Sequence, residues 1–285
     1  MTPTPELRSS DHLPCSEARL REISPLVPPD PAVAKETARF DLSLVAPVFN
    51  ERDNLRPLLA RVGETFAEGV RWELVLVDDG SLDGSTELIV TLAEEEPRVR
   101  PLFFARNCGQ TSAISMGIRA AGAPLIATLD ADLQNDPADL PRMVSALAGH
   151  DAVVGYRVGR RDTLVRRLSS RIANWVRNRL TGDTIRDTGC SLKVFRAEAI
   201  RSLPLFEGMH RFLPTLLRWH GYDVIEFPVT HHPRLSGKSK YGVRNRALRS
   251  FRDLLAVRWM RSRIVLPTLV SRAQAAAVAQ ARAQR

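Results

Sequence analysis

Between residues 42 and 156 the sequence alternates short apolar runs with segments of helical periodicity, and this alternation constrains the fold most. The runs predict strands over Leu42–Phe49, Trp72–Val77, Val99–Phe104, Pro124–Leu129 and Ala152–Tyr156. The segments between them predict helices over Asp53–Ala67, Ser85–Glu95, Thr111–Ala121 and Pro137–Leu147. Strict alternation indicates right-handed β-α-β units, and therefore an α/β fold with a mostly parallel sheet flanked by helices. In such sheets ligands bind beyond the carboxyl ends of the strands.

The end of the fourth predicted strand carries the pair Asp130-Ala131-Asp132. Carboxylates at positions i and i+2 reach one divalent cation together if the backbone turns there. Mg²⁺ and Mn²⁺ accept carboxylate, water and diphosphate oxygens. Such a cation neutralises the charge that develops on a departing diphosphate. The same residues also suit a turn or a helix cap, so the pair alone leaves both interpretations open.

Two other strand ends also carry acids. Glu51 follows the first strand, and Asp78-Asp79-Gly80 closes the second, ahead of Asp83-Gly84-Ser85. An acidic side chain at such a position accepts hydrogen bonds from a ribose hydroxyl or a base N–H, and glycine allows the backbone to approach a ligand closely. Asp-Gly-Ser is also typical of an ordinary strand-to-helix loop, so each motif taken singly is ambiguous.

Together the three acidic loops resemble the nucleotide-diphospho-sugar domain of the family 2 glycosyltransferases, which has a GT-A type fold, over about Leu42 to Arg252. The matching motifs are Pro47-Val48-Phe49-Asn50-Glu51, Val77-Asp78-Asp79-Gly80-Ser81, Arg106-Asn107-Cys108-Gly109-Gln110, Asp130-Ala131-Asp132-Leu133-Gln134, Val154-Gly155-Tyr156-Arg157 and Asp187-Thr188-Gly189-Cys190. The loop from Arg234 to Gly242 is similar to that of the polyprenyl-phosphate (dolichol-phosphate) mannosyltransferases and related bacterial undecaprenyl-phosphate sugar transferases. The resemblance implies an inverting, metal-dependent enzyme that moves a hexose from GDP- or UDP-hexose to a dolichyl or undecaprenyl monophosphate.

The resemblance also implies roles for individual residues. The nucleoside would be bound by Pro47, Phe49, Glu51, Val77 and Asp79. Mg²⁺ or Mn²⁺ would be held by Asp130, Asp132 and Gln134, which together with Ala131 surround the donor diphosphate. Phosphates of donor or acceptor would be held by Arg157, Arg234 and Lys240. Many relatives have tyrosine at the position of Phe49, so base stacking is retained and a hydroxyl contact is lost.

The nature of the acceptor decides whether a catalytic base is needed. The oxygen of a polyprenyl monophosphate is already anionic near neutral pH, whereas a hydroxyl acceptor requires a base. Asp187 is the one unpaired candidate for that catalytic role, and a turn residue before Thr188-Gly189 is its other interpretation. This favours the lipid phosphate, with a sugar hydroxyl of a cell-surface polysaccharide or glycolipid as the alternative acceptor.

The formal net charge of +9 is concentrated in two stretches. Arg157–Arg186 holds nine arginines against two aspartates, and Arg234–Arg263 holds ten lysines or arginines against one aspartate. Such stretches favour polyanionic partners, namely diphosphates, anionic lipid headgroups or nucleic acid. A nucleic-acid-binding protein would leave the three acidic loops unexplained, so we expect no specific nucleic-acid partner.

The same two stretches show helical periodicity. One apolar series is Leu164, Leu168, Ile172, Trp175, Val176 and Leu180, and the other is Ala247, Leu248, Phe251, Leu254, Leu255 and Trp259. Both predict basic amphipathic helices that bind an anionic membrane surface, with packing on the protein's own sheet as the alternative. No run reaches the ~18–20 apolar residues that span a bilayer, although many bacterial relatives append membrane-spanning helices. We therefore expect a cytoplasmic protein, peripheral on the cytoplasmic face of a membrane, held by lipid or by a membrane-protein partner.

These patterns divide the chain into four parts. Residues 1–39 contain seven prolines and no sustained periodicity, and are expected to form a disordered or loosely attached leader. Residues 40–233 form the predicted catalytic glycosyltransferase domain. Residues 234–263 form a basic loop with an amphipathic helix, and residues 264–285 a tail.

Overall fold

The computed structural model describes residues 39–66, 69–158, 175–204, 206–232 and 243–264, without the side chains of residues 243–250. The expected leader up to residue 38, the tail from residue 265, and residues 164–174 of the first amphipathic helix lie outside this part of the chain. The basic loop over residues 233–242 also lies outside it. The four-part division of the chain therefore stays a prediction.

The described residues form a seven-stranded sheet with helices on both faces. Its strands are β1 Leu42–Val48, β2 Trp72–Asp78, β3 Val99–Phe103, β4 Leu125–Thr128, β5 Ala152–Arg157, β6 Lys193–Arg196 and β7 Val224–Val229. Its helices are α1 Arg52–Thr65, α2 Ser85–Glu95, α3 Gln110–Ala120, α4 Leu140–Ala146, α5 at residues 175–181, α6 Ala197–Arg201, α7 Leu213–Trp219 and α8 Val243–Arg261. The short 3₁₀ turns Pro137–Asp139 and Met209–Arg211 precede α4 and α7.

The strand order is β3-β2-β1-β4-β6-β5-β7. All neighbouring strands are parallel except β6, which runs antiparallel to both β4 and β5. The predicted α/β class and the predominantly parallel sheet are confirmed. The five predicted strands agree with β1 to β5 to within one residue at each end. The antiparallel β6 was not predicted, because its four residues begin with Lys193 and end with Arg196 and leave only two apolar residues between them.

The central strands are apolar on both faces because each face supports its own core. Along β1, Leu44 enters the core that contains α1, α2 and α4, while Val45 enters the core that contains α3, α6 and α7. Parallel strands covered by helices on both sides read as continuous apolar runs for this reason. The continuous run over residues 42–48 therefore marks β1 as a central strand.

Helix α3 crosses the sheet at very close range, and Gly117 makes this possible. A Cβ at Gly117 would collide with the side chain of Val45 and lie 3.1 Å from Val77 Cγ2. The helix therefore rests directly on β1 and β2, and this fixes the position of its first residue, Gln110, at the carboxyl edge of the sheet.

Helix α8 contains the second predicted amphipathic segment, and its two faces differ. Leu254 and Val257 are buried in the core on the α3 side of the sheet. Phe251, Leu255 and Trp259 are 47%, 46% and 62% exposed and recur every four residues, so they form one stripe. The helix thus packs on the domain and still presents apolar side chains outward. No described helix is both long and apolar enough to cross a bilayer.

Candidate functional site

The loops after β1 and β2 are fastened to each other at the carboxyl edge of the sheet. The backbone N–H of Asn50 donates to Ser81 Oγ at 2.9 Å, and Asn50 Oδ1 accepts from the N–H of Leu82 at 2.7 Å. Asn50 adopts a φ of +53°, a conformation that asparagine tolerates better than most residues. The N–H of Glu51 also donates to Ser85 Oγ at 3.1 Å. The loops at residues 49–51 and 79–85 are therefore hydrogen-bonded to each other, and together we call them the ledge.

The predicted nucleoside residues differ in how exposed they are at this ledge. Pro47, Phe49 and Glu51 are partly exposed along it, and Glu51 Oε2 accepts from Asn54 Nδ2 at 2.6 Å. The side chain of Val77 is buried in the core on the α3 side. The nucleoside roles of all five predicted residues, Asp79 included, stay predictions.

Asp79 is engaged by the loop that precedes α3. The residue is 3% exposed, and its carboxylate accepts from Cys108 N at 2.6 Å, Gly109 N at 2.9 Å and Asn107 Nδ2 at 3.0 Å. Burial raises the pKa of Asp79, and the two backbone N–H donors oppose this shift. Gly80, at a φ of +72°, brings the backbone so close that a Cβ would lie 2.6 Å from the carbonyl carbon of Arg106. Asp79 therefore fixes the loop at residues 107–109, a role that the sequence did not indicate.

Asp130 and Asp132 share the loop that follows β4. Asp130 donates its N–H to Ser191 Oγ at 3.2 Å, and its Oδ1 accepts from Gln110 Nε2 at 2.9 Å. Asp132 is 4% exposed, and its Oδ1 accepts from the N–H of Gln134 at 3.1 Å. Burial raises the pKa of Asp130, and repulsion by the charge of Asp132 adds to the rise. A cation bound by both carboxylates would offset the repulsion between their charges.

The donor set fits Mg²⁺ or Mn²⁺. The described residues contain no group of three or more His, Cys, Asp or Glu that is arranged to hold a metal. Mg²⁺ in phosphate-handling sites is typically bound by one or two carboxylates, with waters and substrate phosphates as the other ligands. Asp130 and Asp132 supply that number of carboxylates. The backbone N–H of Gln134 donates to Asp132 Oδ1, and the Gln134 carbonyl accepts from the N–H of His232 at 2.8 Å.

A buried lysine, absent from the sequence prediction, lies beside the acid pair. Lys193 is the partner of Thr128 in the ladder between β4 and β6, and it is 4% exposed. Its Nζ donates to the carbonyl of Cys190. Burial lowers the pKa of Lys193, while Cys190, Asp130 and Asp187 oppose the shift. Its one sequence signal is a charged residue inside the otherwise apolar run at residues 192–195.

Arg157 and Asp187 form a bidentate ion pair at the end of β5. Arg157 Nε donates to Asp187 Oδ2 at 2.7 Å, and Nη2 donates to Oδ1 at 2.9 Å. Burial lowers the pKa of Arg157, but the hydrogen bonds and charge of Asp187 more than offset it, so the net shift is upward. The expectation that Asp187 is unpaired is therefore wrong, because its partner is 30 residues away in sequence and adjacent only in the fold.

Of the remaining predicted site residues, one is buried in the core and two lie outside the described part of the chain. Ala131 is buried in the core on the α1 side, so its side chain does not line the edge of the sheet. Arg234 and Lys240 lie outside the described residues. Residues that the sequence analysis missed are Gln110, Asn135, Ser191 and Lys193. Asn135 Nδ2 donates to Ser191 Oγ at 2.7 Å, which ties the segment after Asp132 to the start of β6.

Comparison with known proteins gives the family. The glycosyl transferase family 2 profile matches residues 43–203, more than half of the chain. This chain belongs to glycosyl transferase family 2. The chain is 43% identical over 225 residues to dodecaprenyl-phosphate galacturonate synthase of Rhizobium johnstonii, covering 76% of this chain and 66% of that protein. It is 40% identical over 211 residues to undecaprenyl-phosphate 4-deoxy-4-formamido-L-arabinose transferase of Edwardsiella ictaluri, covering 73% and 65%. The chain thus spans just under two thirds of the length of these relatives.

Solved structures share the fold of this glycosyltransferase. Glucosyl-3-phosphoglycerate synthase from Mycobacterium tuberculosis, in complex with Mn²⁺, UDP and phosphoglyceric acid, superposes with a TM-score of 0.58 at 18% identity, covering 83% of this chain and 82% of that one. The mannosyltransferase PcManGT from Pyrobaculum calidifontis, in complex with GDP-Man and Mn²⁺, gives 0.56 at 19% identity, covering 80% and 66%. At this identity the similarity concerns the fold alone, and it confirms the predicted GT-A type.

Proposed function

We propose that this glycosyltransferase moves a hexose from a nucleotide-diphosphate sugar to a polyprenyl monophosphate, with inversion at the anomeric carbon. The observation that carries the proposal is the acid pair of Asp130 and Asp132 at the carboxyl edge of the sheet, with the ion-paired guanidinium of Arg157 within electrostatic reach of Asp130. This combination suits a cation-bound diphosphate. The acceptor class is supported by the names of the two relatives, which both specify a polyprenyl phosphate.

The side chains divide the work of binding and leaving-group stabilisation. Phe49 and Glu51 on the ledge would contact the nucleoside, while Asp130 and Asp132 would hold a divalent cation that neutralises the departing diphosphate when bound. Arg157 supplies a permanent positive charge for the same phosphates. A polyprenyl phosphate oxygen is anionic near neutral pH, so the attack requires no general base. This agrees with the engagement of the Asp187 carboxylate by Arg157.

An acceptor comparison tests this function. Purified protein with Mn²⁺ is supplied in turn with UDP- and GDP-hexoses, with either undecaprenyl phosphate or a soluble oligosaccharide as the acceptor. We expect nucleoside diphosphate release to depend on undecaprenyl phosphate with one of the donors. Release that depends on the oligosaccharide instead would assign a sugar-hydroxyl acceptor.

We also propose that the exposed stripe of α8, formed by Phe251, Leu255 and Trp259, binds an anionic membrane surface. The exposed arginines Arg252 and Arg258 flank the stripe. Apolar side chains beside cations suit an anionic interface, where each cation adds about 1 kcal/mol of attraction that salt weakens. Such binding would bring the enzyme to a lipid-linked acceptor on the cytoplasmic face.

Vesicle sedimentation tests the stripe. The wild-type protein should co-sediment with anionic but not neutral vesicles, and added salt should release it. The double variant Phe251→Ser with Trp259→Ser should lose binding while its melting temperature is unchanged. Phe103→Ser, at a similarly exposed phenylalanine on β3, is the matched control and should still bind. Failure of the wild type to bind anionic vesicles would favour a membrane-protein partner instead.

A further inference from the structure

We propose that Asp187 is a positioning residue that holds the Arg157 guanidinium in place for the donor diphosphate, and that it is not a general base. The inference rests on the proposed function. It concerns a carboxylate that accepts hydrogen bonds from Arg157 at the end of β5 and from Gly189 in its own loop.

Two of the hydrogen bonds that Asp187 accepts come from the Arg157 guanidinium, and two come from backbone N–H groups. Its Oδ2 accepts from Arg157 Nε at 2.7 Å and from the Arg157 backbone N–H at 3.3 Å. Its Oδ1 accepts from Arg157 Nη2 at 2.9 Å and from the N–H of Gly189 at 3.1 Å. The side chains of Arg157 and Asp187 are only 16% and 17% exposed. A carboxylate that took a proton from a substrate would have to give up these charge-assisted bonds, whereas a positioning role uses all of them.

The surrounding backbone is shaped to admit the guanidinium. A Cβ at Gly189 would lie 3.1 Å from Arg157 Nη2 and 3.5 Å from Asp187 Oδ1, which is a tight approach to the pair. The buried guanidinium of Arg177 donates to Thr188 Oγ1 at 2.5 Å and to the carbonyl of Ile185. The segment that carries Asp187 is therefore held by a second arginine as well.

The fixed guanidinium lies within electrostatic reach of the acid pair. Arg157 and Asp130 each affect the pKa of the other, and β6, which follows Gly189 and bonds β4, connects the two regions. An arginine held in one orientation offers the N–H donors that Asp187 does not use to a phosphate, without the entropy loss of ordering a free side chain. Asp187 thus acts on the donor through Arg157.

A double-mutant cycle separates positioning from base catalysis. The variants Arg157→Lys, Asp187→Asn and their combination are titrated calorimetrically with UDP and GDP in the presence of Mn²⁺, and turnover is measured across pH. Each single variant should weaken nucleoside diphosphate binding by at least about tenfold, because a charge-assisted interaction is lost. The double variant should be no more than about twofold weaker than the weaker single variant, because the two residues act as a unit. The pH profile of Asp187→Asn should keep the shape of the wild-type profile.

The base interpretation makes opposite predictions. If Asp187 is a base, Asp187→Asn binds the nucleoside diphosphate normally, loses turnover and loses the acidic limb of the pH profile. That result would overturn the positioning role.

Gly189→Ala covers the case in which Asp187→Asn does not fold. It intrudes on the guanidinium but leaves the Asp187 carboxylate in place, and it should weaken nucleoside diphosphate binding several-fold. Gly63→Ala in α1 is the matched control, because a Cβ there meets nothing within 4 Å, and its binding should be unchanged. Wild-type protein that binds neither nucleoside diphosphate would refute the proposed function. Wild-type binding that Asp187→Asn and Gly189→Ala leave intact would refute only the positioning role.

Discussion

Replacement of Asp79 by alanine should destabilise the protein by removing the acceptor that fixes the loop at residues 107–109. Cys108 N and Gly109 N lose their carboxylate acceptor, and Asn107 Nδ2 keeps only its 3.2 Å bond to the backbone carbonyl of residue 79. A hydrogen bond to a charged group contributes about 1.5–3 kcal/mol. Part of that sum is offset because the variant no longer buries a carboxylate, whose raised pKa reports an unfavourable environment. We therefore expect the free energy of unfolding to fall by about 2–4 kcal/mol.

Thermal melting measures this effect directly. For a domain of this size the expected loss corresponds to a melting temperature lower by roughly 5–15 °C. Asp79→Asn, which keeps one acceptor and the shape of the side chain, should lose about half as much. Asp41→Ala is the control, because the ion pair of Asp41 with Arg71 is exposed and should contribute less than about 1 kcal/mol. An unchanged melting temperature in Asp79→Ala would refute the loop-fixing role and leave nucleoside binding as the proposed role of Asp79.

Three further predictions concern the turn at Gly80, the two faces of α8 and the pH dependence of stability. Gly80→Ala should unfold or lower the melting temperature more than Asp79→Ala, because it combines a positive φ with a 2.6 Å clash against Arg106, and circular dichroism would show this. Val257→Ala should cost about 1–2.5 kcal/mol in denaturant unfolding, whereas Leu255→Ala on the exposed face of α8 should stay within about 0.5 kcal/mol. The pKa of Asp79 is raised on folding above its ordinary 3.8, so the folded state binds the proton more tightly than the unfolded state. The stability advantage of wild type over Asp79→Asn should therefore shrink as the pH rises above 3.8, and urea titrations from acid to neutral pH would show this.

The sequence predicted most of the sheet and which strand ends carry acidic residues. The carboxyl ends of neighbouring parallel strands meet at one edge, so the acids after β1, β2 and β4 had to lie near one another. Helix α2 was predicted with the bounds Ser85–Glu95 that the structure shows. These successes share a cause, since periodicity and loop chemistry are local properties of the chain.

The remaining features depend on contacts between distant segments. Strand β6 is four residues long and lies between β4 and β5 through a return of the chain that no local pattern indicates. The pairing of Arg157 with Asp187 and the approach of Lys193 to Asp130 both follow from that return. The contacts of Asp79 with the loop at residues 107–109 could not be predicted either. An acidic residue before a Gly-Ser turn gives the same local sequence pattern whether it faces a ligand or a neighbouring loop.

The central claim is most directly tested by nucleoside diphosphate release from a nucleotide sugar by wild-type protein and by Asp132→Asn. Asp132→Asn keeps the shape of a buried side chain and removes a charge that the proposed cation requires. Release by the wild type should depend on both Mn²⁺ and undecaprenyl phosphate, and stop when chelator is in excess. The variant should show no release while its melting temperature stays close to that of the wild type. Wild-type turnover by Asp132→Asn, or by native protein in excess chelator, would contradict metal-assisted transfer at this site.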